Sequence, residues 1–202
     1  MAGAGTPSQP GKVVIDDIAL FPLNTVLFPG GRLPLRIFEQ RYMNMAKACL
    51  RDGQPFGVSL ILEGNEVGAP ALPADVGCLA RIATWDMPQL GVLEVLAVGE
   101  RRFRIAERRV QDDGLQRARL FVLEEETDGP VPADCRRCVA LLERVIEQAP
   151  ALFEDPPRLD SCAWVAARLA EALPIPNSTK QALLEQNDGR IRLERINRLL
   201  GV

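Results

Sequence analysis

Apolar residues in this chain change their spacing for good between positions 123 and 134, and that change limits the fold more than any other feature. Up to position 123 they come in short runs cut by glycine, proline, aspartate and asparagine, and past position 134 they recur at helical spacing. Alternation along a strand puts successive side chains on opposite faces, whereas a stripe at i, i+3 and i+4 covers one face of a helix. Strands first and helices afterwards specify an α+β protein.

Segments 18–21, 33–37, 56–62, 77–85, 92–98, 102–110 and 117–123 read as strands between turn-forming residues. Phe103 and Ile105 fall on one side of their segment, Arg102 and Arg104 on the other. The dipeptides Phe21-Pro22 and Phe28-Pro29 predict strand ends or edges, because proline donates nothing to a ladder. Positions 39–51 interrupt the strands with a helical face of Tyr42, Met45, Ala46, Cys49 and Leu50, with Glu39 in the first turn. Short strands around one inserted helix predict a closed or nearly closed small barrel. The acidic stretch 124–134 reads as a linker. Beyond it, Asp160 or Ser161 is placed to cap one helix and Asn177 another, and Asp188-Gly189 breaks the chain before the last. The expected division is a disordered N-terminus over 1–12, a barrel-like lobe over 13–125 and a helical bundle lobe over 126–202.

The chain has no histidine. That excludes Ser-His-Asp and Cys-His catalysis and His-ligated metals. Cys135-Arg-Arg-Cys138 lacks a second knuckle, and both sulfurs fall on an apolar stripe, so buried thiols are expected rather than zinc. Ser178, Thr179 and Lys180 are too close along a helix start to face one another. No GxSxG, Walker A or GxGxxG sequence is present. No cofactor, metal or catalytic residue is therefore expected. An exposed Cys135 with a low pKa would be the best support for an enzyme.

Five cysteines, an odd number, and an N-terminal MAGAGTPSQPGK without an apolar h-region predict free thiols in a reducing cytoplasm. No segment approaches the roughly 18 apolar residues of a membrane span. The net charge of −3 gives no overall pull toward anionic partners. Arg101, Arg102, Arg104, Arg108 and Arg109 form a basic cluster, but 5% aromatic residues offer no stacking platform for nucleic acid.

Two places are candidates for contact with a partner. Phe21, Leu23, Val26, Leu27 and Phe28 form a dense apolar run broken by prolines. A proline-kinked hairpin is expected to leave part of it exposed, and exposed apolar patches mark protein contacts. Arg36, Glu39, Arg41 and Tyr42 bracket the junction of strand and inserted helix. There Glu39 can answer orphan N–H groups and an arginine can clamp carbonyls or the carboxylate, as a structural knot or as a ligand site.

Several segments together resemble one family. FPLNTVLFPGGRLPLRIFEQRYMNMAKACL resembles the opening of the N-terminal, substrate-binding domain of Lon-type ATP-dependent proteases. FGVSLI followed by EVG, then VGCLARI and VGERRFRI, continue the likeness, and WVAARLAEALPIPNSTKQALLEQNDGRIRLERINRLL is similar to its helical end. Gln40 and Arg36 depart from the family pattern, where proline and histidine are common. The resemblance implies a PUA-like β-barrel lobe followed by a helical bundle, in a domain that selects unfolded or tagged polypeptides. It carries over neither the ATPase nor the Ser-Lys protease of those enzymes, so a stand-alone, non-catalytic polypeptide-binding or adaptor module is expected. Its partners would be flexible polypeptides or protease components, with self-association left open. The candidate contact residues are Phe21, Leu23, Val26, Phe28, Arg36, Arg41, Tyr42 and Arg102. The alternative is a PUA-like module for a small molecule or RNA, which a deep polar pocket between the lobes or a contiguous basic face would favour.

Overall fold

The computed structural model describes residues 13–154 and 156–201; the expectation for 1–12 lies outside the described residues. The strands are β1 (Val14–Leu23), β2 (Arg32–Ile37), β3 (Phe56–Glu63), β4 (Leu72–Pro73), β5 (Val76–Gln89), β6 (Val92–Val110) and β7 (Gln116–Val122). Helix α1 (Gln40–Asp52) is inserted between β2 and β3. Four more α-helices follow: α2 (Arg136–Gln148), α3 (Cys162–Ala172), α4 (Asn177–Leu184) and α5 (Gly189–Leu199).

The strand ladder returns on itself. β1 pairs with β7, β7 with β6, β6 with β5 and β5 with β3, all antiparallel, and β3 pairs with β1 in parallel. β4 adds to β3, and among the described residues β2 pairs with β6 alone. β2 therefore has a free edge, and it carries Pro34, which suits an edge strand. Pro22 stands one residue from the end of β1, past the last residue paired with β7.

Several sequence expectations need correction. Segments 92–98 and 102–110 are one continuous strand, β6. Gly99, read from the sequence as a break, sits inside it, because a Cβ there would lie 2.2 Å from the Phe28 carbonyl oxygen. The glycine allows two backbones to meet: Gly30 N–H donates to Gly99 O at 2.8 Å and Gly99 N–H to Gly31 O at 2.9 Å. The run from Phe21 to Phe28 also does not leave one face exposed. Positions 26–28 carry no regular secondary structure and lie between the two halves of the molecule. Leu27 packs with the strands and α1, whereas Val26 and Phe28 pack among the helices. A chain segment sandwiched between two layers buries side chains on both sides.

Helix α3 is buried at nine consecutive residues, Cys162 to Ala170. A helix apolar all round must be enclosed. α2, α4 and α5 enclose it on one side, and Val26, Phe28, Leu60, Ala74 and Val76 of the strand half join the same cluster. The helices thus surround a central member and share a core with the strands. Ser161 caps α3 by accepting from Trp164 N–H at 3.0 Å, as the sequence suggested. Asp188 likewise caps α5. Asn177 does not cap α4; it is the first helical residue, and its side-chain amide donates to Asn24 O at 2.7 Å.

Candidate binding groove

The free edge of β2 forms one wall of a cavity of about 360 Å³. Its floor is apolar and comes from β1, the end of β2 and α1, through Phe21 and Leu23, Ile37, and Tyr42 respectively. The Phe21 and Tyr42 rings stack with centroids 4.1 Å apart, and Phe56 backs Phe21 at 6.3 Å. Burial raises the Tyr42 phenol above its usual pKa. The opposite wall is the loop carrying Glu66 and Val67. Two hydrogen bonds hold that loop: Asn24 N–H donates to Glu66 Oε1 at 2.6 Å, and Gly68 N–H to Glu39 Oε2 at 3.5 Å. At the mouth stand Phe38, 56% exposed, and Val67, 55% exposed. The groove is therefore a strand edge beside an apolar floor, with apolar side chains at its lip.

Glu39 is the N-cap residue of α1, but its side chain caps nothing. It faces Arg41 at 3.0 Å, while Arg41 Nη1 donates to Gly114 O at 3.3 Å and the guanidinium lies 4.7 Å from the Tyr42 ring centroid. One arginine thereby ties α1 to the β6–β7 turn and braces the ring that floors the groove.

The sequence candidates divide three ways. Phe21, Leu23, Arg36 and Tyr42 line the groove, and of these only Arg36 is exposed. Arg41 is a buried brace beneath it. Val26, Phe28 and Arg102 lie elsewhere, in or against the helical half. Arg102 is 3% exposed and donates to the carbonyls of Leu184 at 3.0 Å and Gln186 at 3.1 Å, near the end of α4. Arg192 reinforces it, donating to Leu183 O at 2.8 Å and Gln186 O at 2.6 Å and pairing with Glu126. Carbonyls at a helix C-terminus lack helical partners and attract cations, so this is a seam clasp. Sequence reasoning missed Phe38, Val67 and Glu66; no periodic pattern marks a loop that meets a strand edge only in three dimensions.

The remaining candidates for chemistry dissolve. Cys135 and Cys138 are free and fully buried, and burial raises Cys135 and pushes Cys138 up to about 11. The exposed, low-pKa Cys135 that would support an enzyme is thus contradicted. Lys180 Nζ donates to the carbonyl of Glu171 at 2.7 Å. The basic cluster is partly neutralised, since Asp17 pairs with Arg109 and Arg117 and Asp16 with Arg119. Among the described residues, no group of acidic, cysteine or histidine side chains is placed to hold a metal, and no helix is long and apolar enough to cross a membrane. A second cavity of about 360 Å³ lies in the seam, lined by Arg102, Glu126, Asp128, Arg158 and Trp164 among others.

The chain belongs to the family described as the ATP-dependent protease La (LON) substrate-binding domain, which matches residues 17–201. It is 30% identical over 207 residues to Lon protease 2 of Myxococcus xanthus, covering 96% of this chain and 25% of that protein. It is 29% identical over 124 residues to protein cereblon of Gallus gallus, covering 57% of this chain and 27% of the relative. Among solved structures, the Lon N-terminal domain protein from Xanthomonas campestris superposes with a TM-score of 0.75 at 36% identity, over 90% of this chain and 97% of that one. The chain spans about a quarter of the length of the curated relatives it matches. The match thus supports a substrate-recognition module and reaches no protease or ATPase domain.

Proposed function

We propose that the chain is a non-catalytic, polypeptide-binding module of the cytoplasm, acting as an adaptor or substrate holder, in which residues 13–125 and 126–202 work as one unit. The closed strand circuit supports a PUA-like barrel for the first of these and the enclosed α3 a helical lobe for the second. The observation that carries the reading is the free edge of β2 beside the floor of Phe21, Leu23 and Tyr42. An extended segment adds backbone hydrogen bonds to such an edge while its alternate apolar side chains enter the groove. Phe38 and Val67 at the lip are the first contacts. Neither step needs a titrating group, which fits a chain without histidine. Fluorescence anisotropy with a labelled, reduced and carboxymethylated protein tests this. Binding is expected for the wild type and loss for Phe38→Asp; equal binding by both removes the groove from the account. Casein degraded by the pure protein, with loss on Lys180→Ala, would overturn the non-catalytic reading.

A second reading rests on the seam cavity, a polar pocket between the halves. Trp164 lines it, is 5% exposed and has an indole N–H without an acceptor. Six carboxylates against three arginines in its lining favour a cationic small molecule over RNA. Calorimetric titration with spermidine separates the readings: saturable binding weakened in Glu125→Gln favours this one.

A further inference from the structure

We propose that a third cavity, distinct from the β2 groove, captures the C-terminal carboxylate of a polypeptide ending in apolar residues; this rests on the polypeptide-binding reading. The cavity has a volume of about 360 Å³ and lies where the 25–33 segment meets α2 and α3. Its walls are largely apolar, including Val26, Leu27, Val145, Leu152 and Phe153. Set into this lining is Arg168, which is 1% exposed. Its Nη2 donates to Pro29 O at 2.9 Å and faces Glu171 at 3.0 Å, but Nε and Nη1 have no hydrogen-bond partner. A buried guanidinium is ordinarily satisfied, because each unpaired N–H forfeits its hydration.

The charge around this arginine matches a monoanion. Arg32 also lines the cavity, half-buried, with Nη1 donating to Ala151 O at 3.1 Å. Glu171 is the cavity's single carboxylate against these two guanidinium groups. Its oxygens are already engaged by Arg168 and by Phe28 N–H at 3.0 Å, and burial pushes its carboxyl above the usual range. The site therefore pairs an apolar lining with surplus positive charge. An occupant needs an apolar body ending in an anion that accepts hydrogen bonds. The end of a polypeptide with leucine or a similar residue last has both. A backbone passing through offers only neutral carbonyls, which is why this site reads a chain end and the β2 groove an internal stretch. A free medium-chain carboxylate shares the chemistry and serves as a control.

Fluorescence polarisation on the full chain tests the assignment with three probes: a labelled peptide ending in Ala-Leu-Leu with a free carboxylate, its C-terminal amide, and octanoate as competitor. The acid is expected to bind about tenfold or more tightly than the amide, the equivalent of one charged hydrogen bond. Because Arg168→Met removes a buried ion pair and puts the fold at risk, the decisive variants are at Leu152, 44% exposed among the lining residues. Leu152→Glu should weaken the acid peptide and Leu152→Lys should not. Equal affinity for acid and amide, identical behaviour of the two Leu152 variants, or displacement by octanoate at lower concentration than by unlabelled acid peptide would overturn the inference. Failure is distinguishable from failure of the groove: an unfolded polypeptide with an amidated end should bind, lose binding in Phe38→Asp, and ignore Leu152→Glu.

Discussion

The seam between strands and helices and the free edge of β2 are both built from arginine set against apolar surface, yet they end in different states. At the seam, Arg102 and Arg192 are buried and spend their donors on carbonyls of residues 183–186 and on Glu126. These guanidinium groups are committed to protein acceptors, and they tie the strands to the helices. At the β2 edge the arginine is sunk below the floor, where Arg41 braces Tyr42, and the backbone edge and the exposed Phe38 are left for something else. Saturation marks a structural joint and its absence marks a place for a partner.

The largest effect should come from breaking the seam. Arg192→Met strands Glu126 and takes one donor each from the carbonyls of Leu183 and Gln186, so it should cost about 3–5 kcal/mol. Equilibrium urea unfolding measures this, and a loss below about 1 kcal/mol would show that the seam is not a joint of this kind. Glu39→Ala comes next. It removes the Arg41 partner and one anchor of the 64–68 loop, for about 1–3 kcal/mol. A melting point equal to the wild type would contradict the brace. Phe38→Asp should change stability by no more than about 0.5 kcal/mol, since the side chain is mostly in solvent, while abolishing capture of unfolded protein.

The smallest expected effect is electrostatic. Hydrogen bonds from Arg117, and after them Arg109, hold the Asp17 carboxyl below its ordinary pKa of 3.8. A lowered folded-state pKa adds stability that is present above the unfolded value and fades as pH falls through the folded one. The difference in melting point between wild type and Asp17→Asn should therefore be positive at neutral pH and shrink below 3.8. A difference that grows on acidification would reverse the sign and refute the pairing. Asp17 is itself the described non-glycine residue with positive φ, at 58°, on the bulge where β1 slips against β7. Asparagine tolerates that conformation, so the substitution isolates charge from backbone strain.

Legibility in the sequence followed the length scale of the cause. Period two and period 3.6 are set by neighbours a few residues apart, so the strands, the inserted helix and the later helices were readable, as were the Ser161 and Asp188 helix starts. Gly99 misled because a glycine at a turn and a glycine under a crossing backbone look alike in one dimension. Arg168 and Arg192 gave no signal at all. Charge argues for the surface, and what makes burial tolerable includes the carbonyl of Pro29, more than a hundred positions away, for Arg168 and Glu126 on the linker for Arg192. The groove was half legible. Phe21 and Leu23 were singled out for apolar density and Tyr42 for its place at the strand–helix junction, but their role as a floor depends on the distant 64–68 loop and the unpaired side of β2.

Amide hydrogen exchange with and without a saturating unfolded polypeptide tests the central claim most directly. Strand addition predicts slowed exchange across residues 32–37, with the already enclosed α3 unchanged. Unaltered exchange at 32–37, with protection appearing only in the helical half, would contradict it.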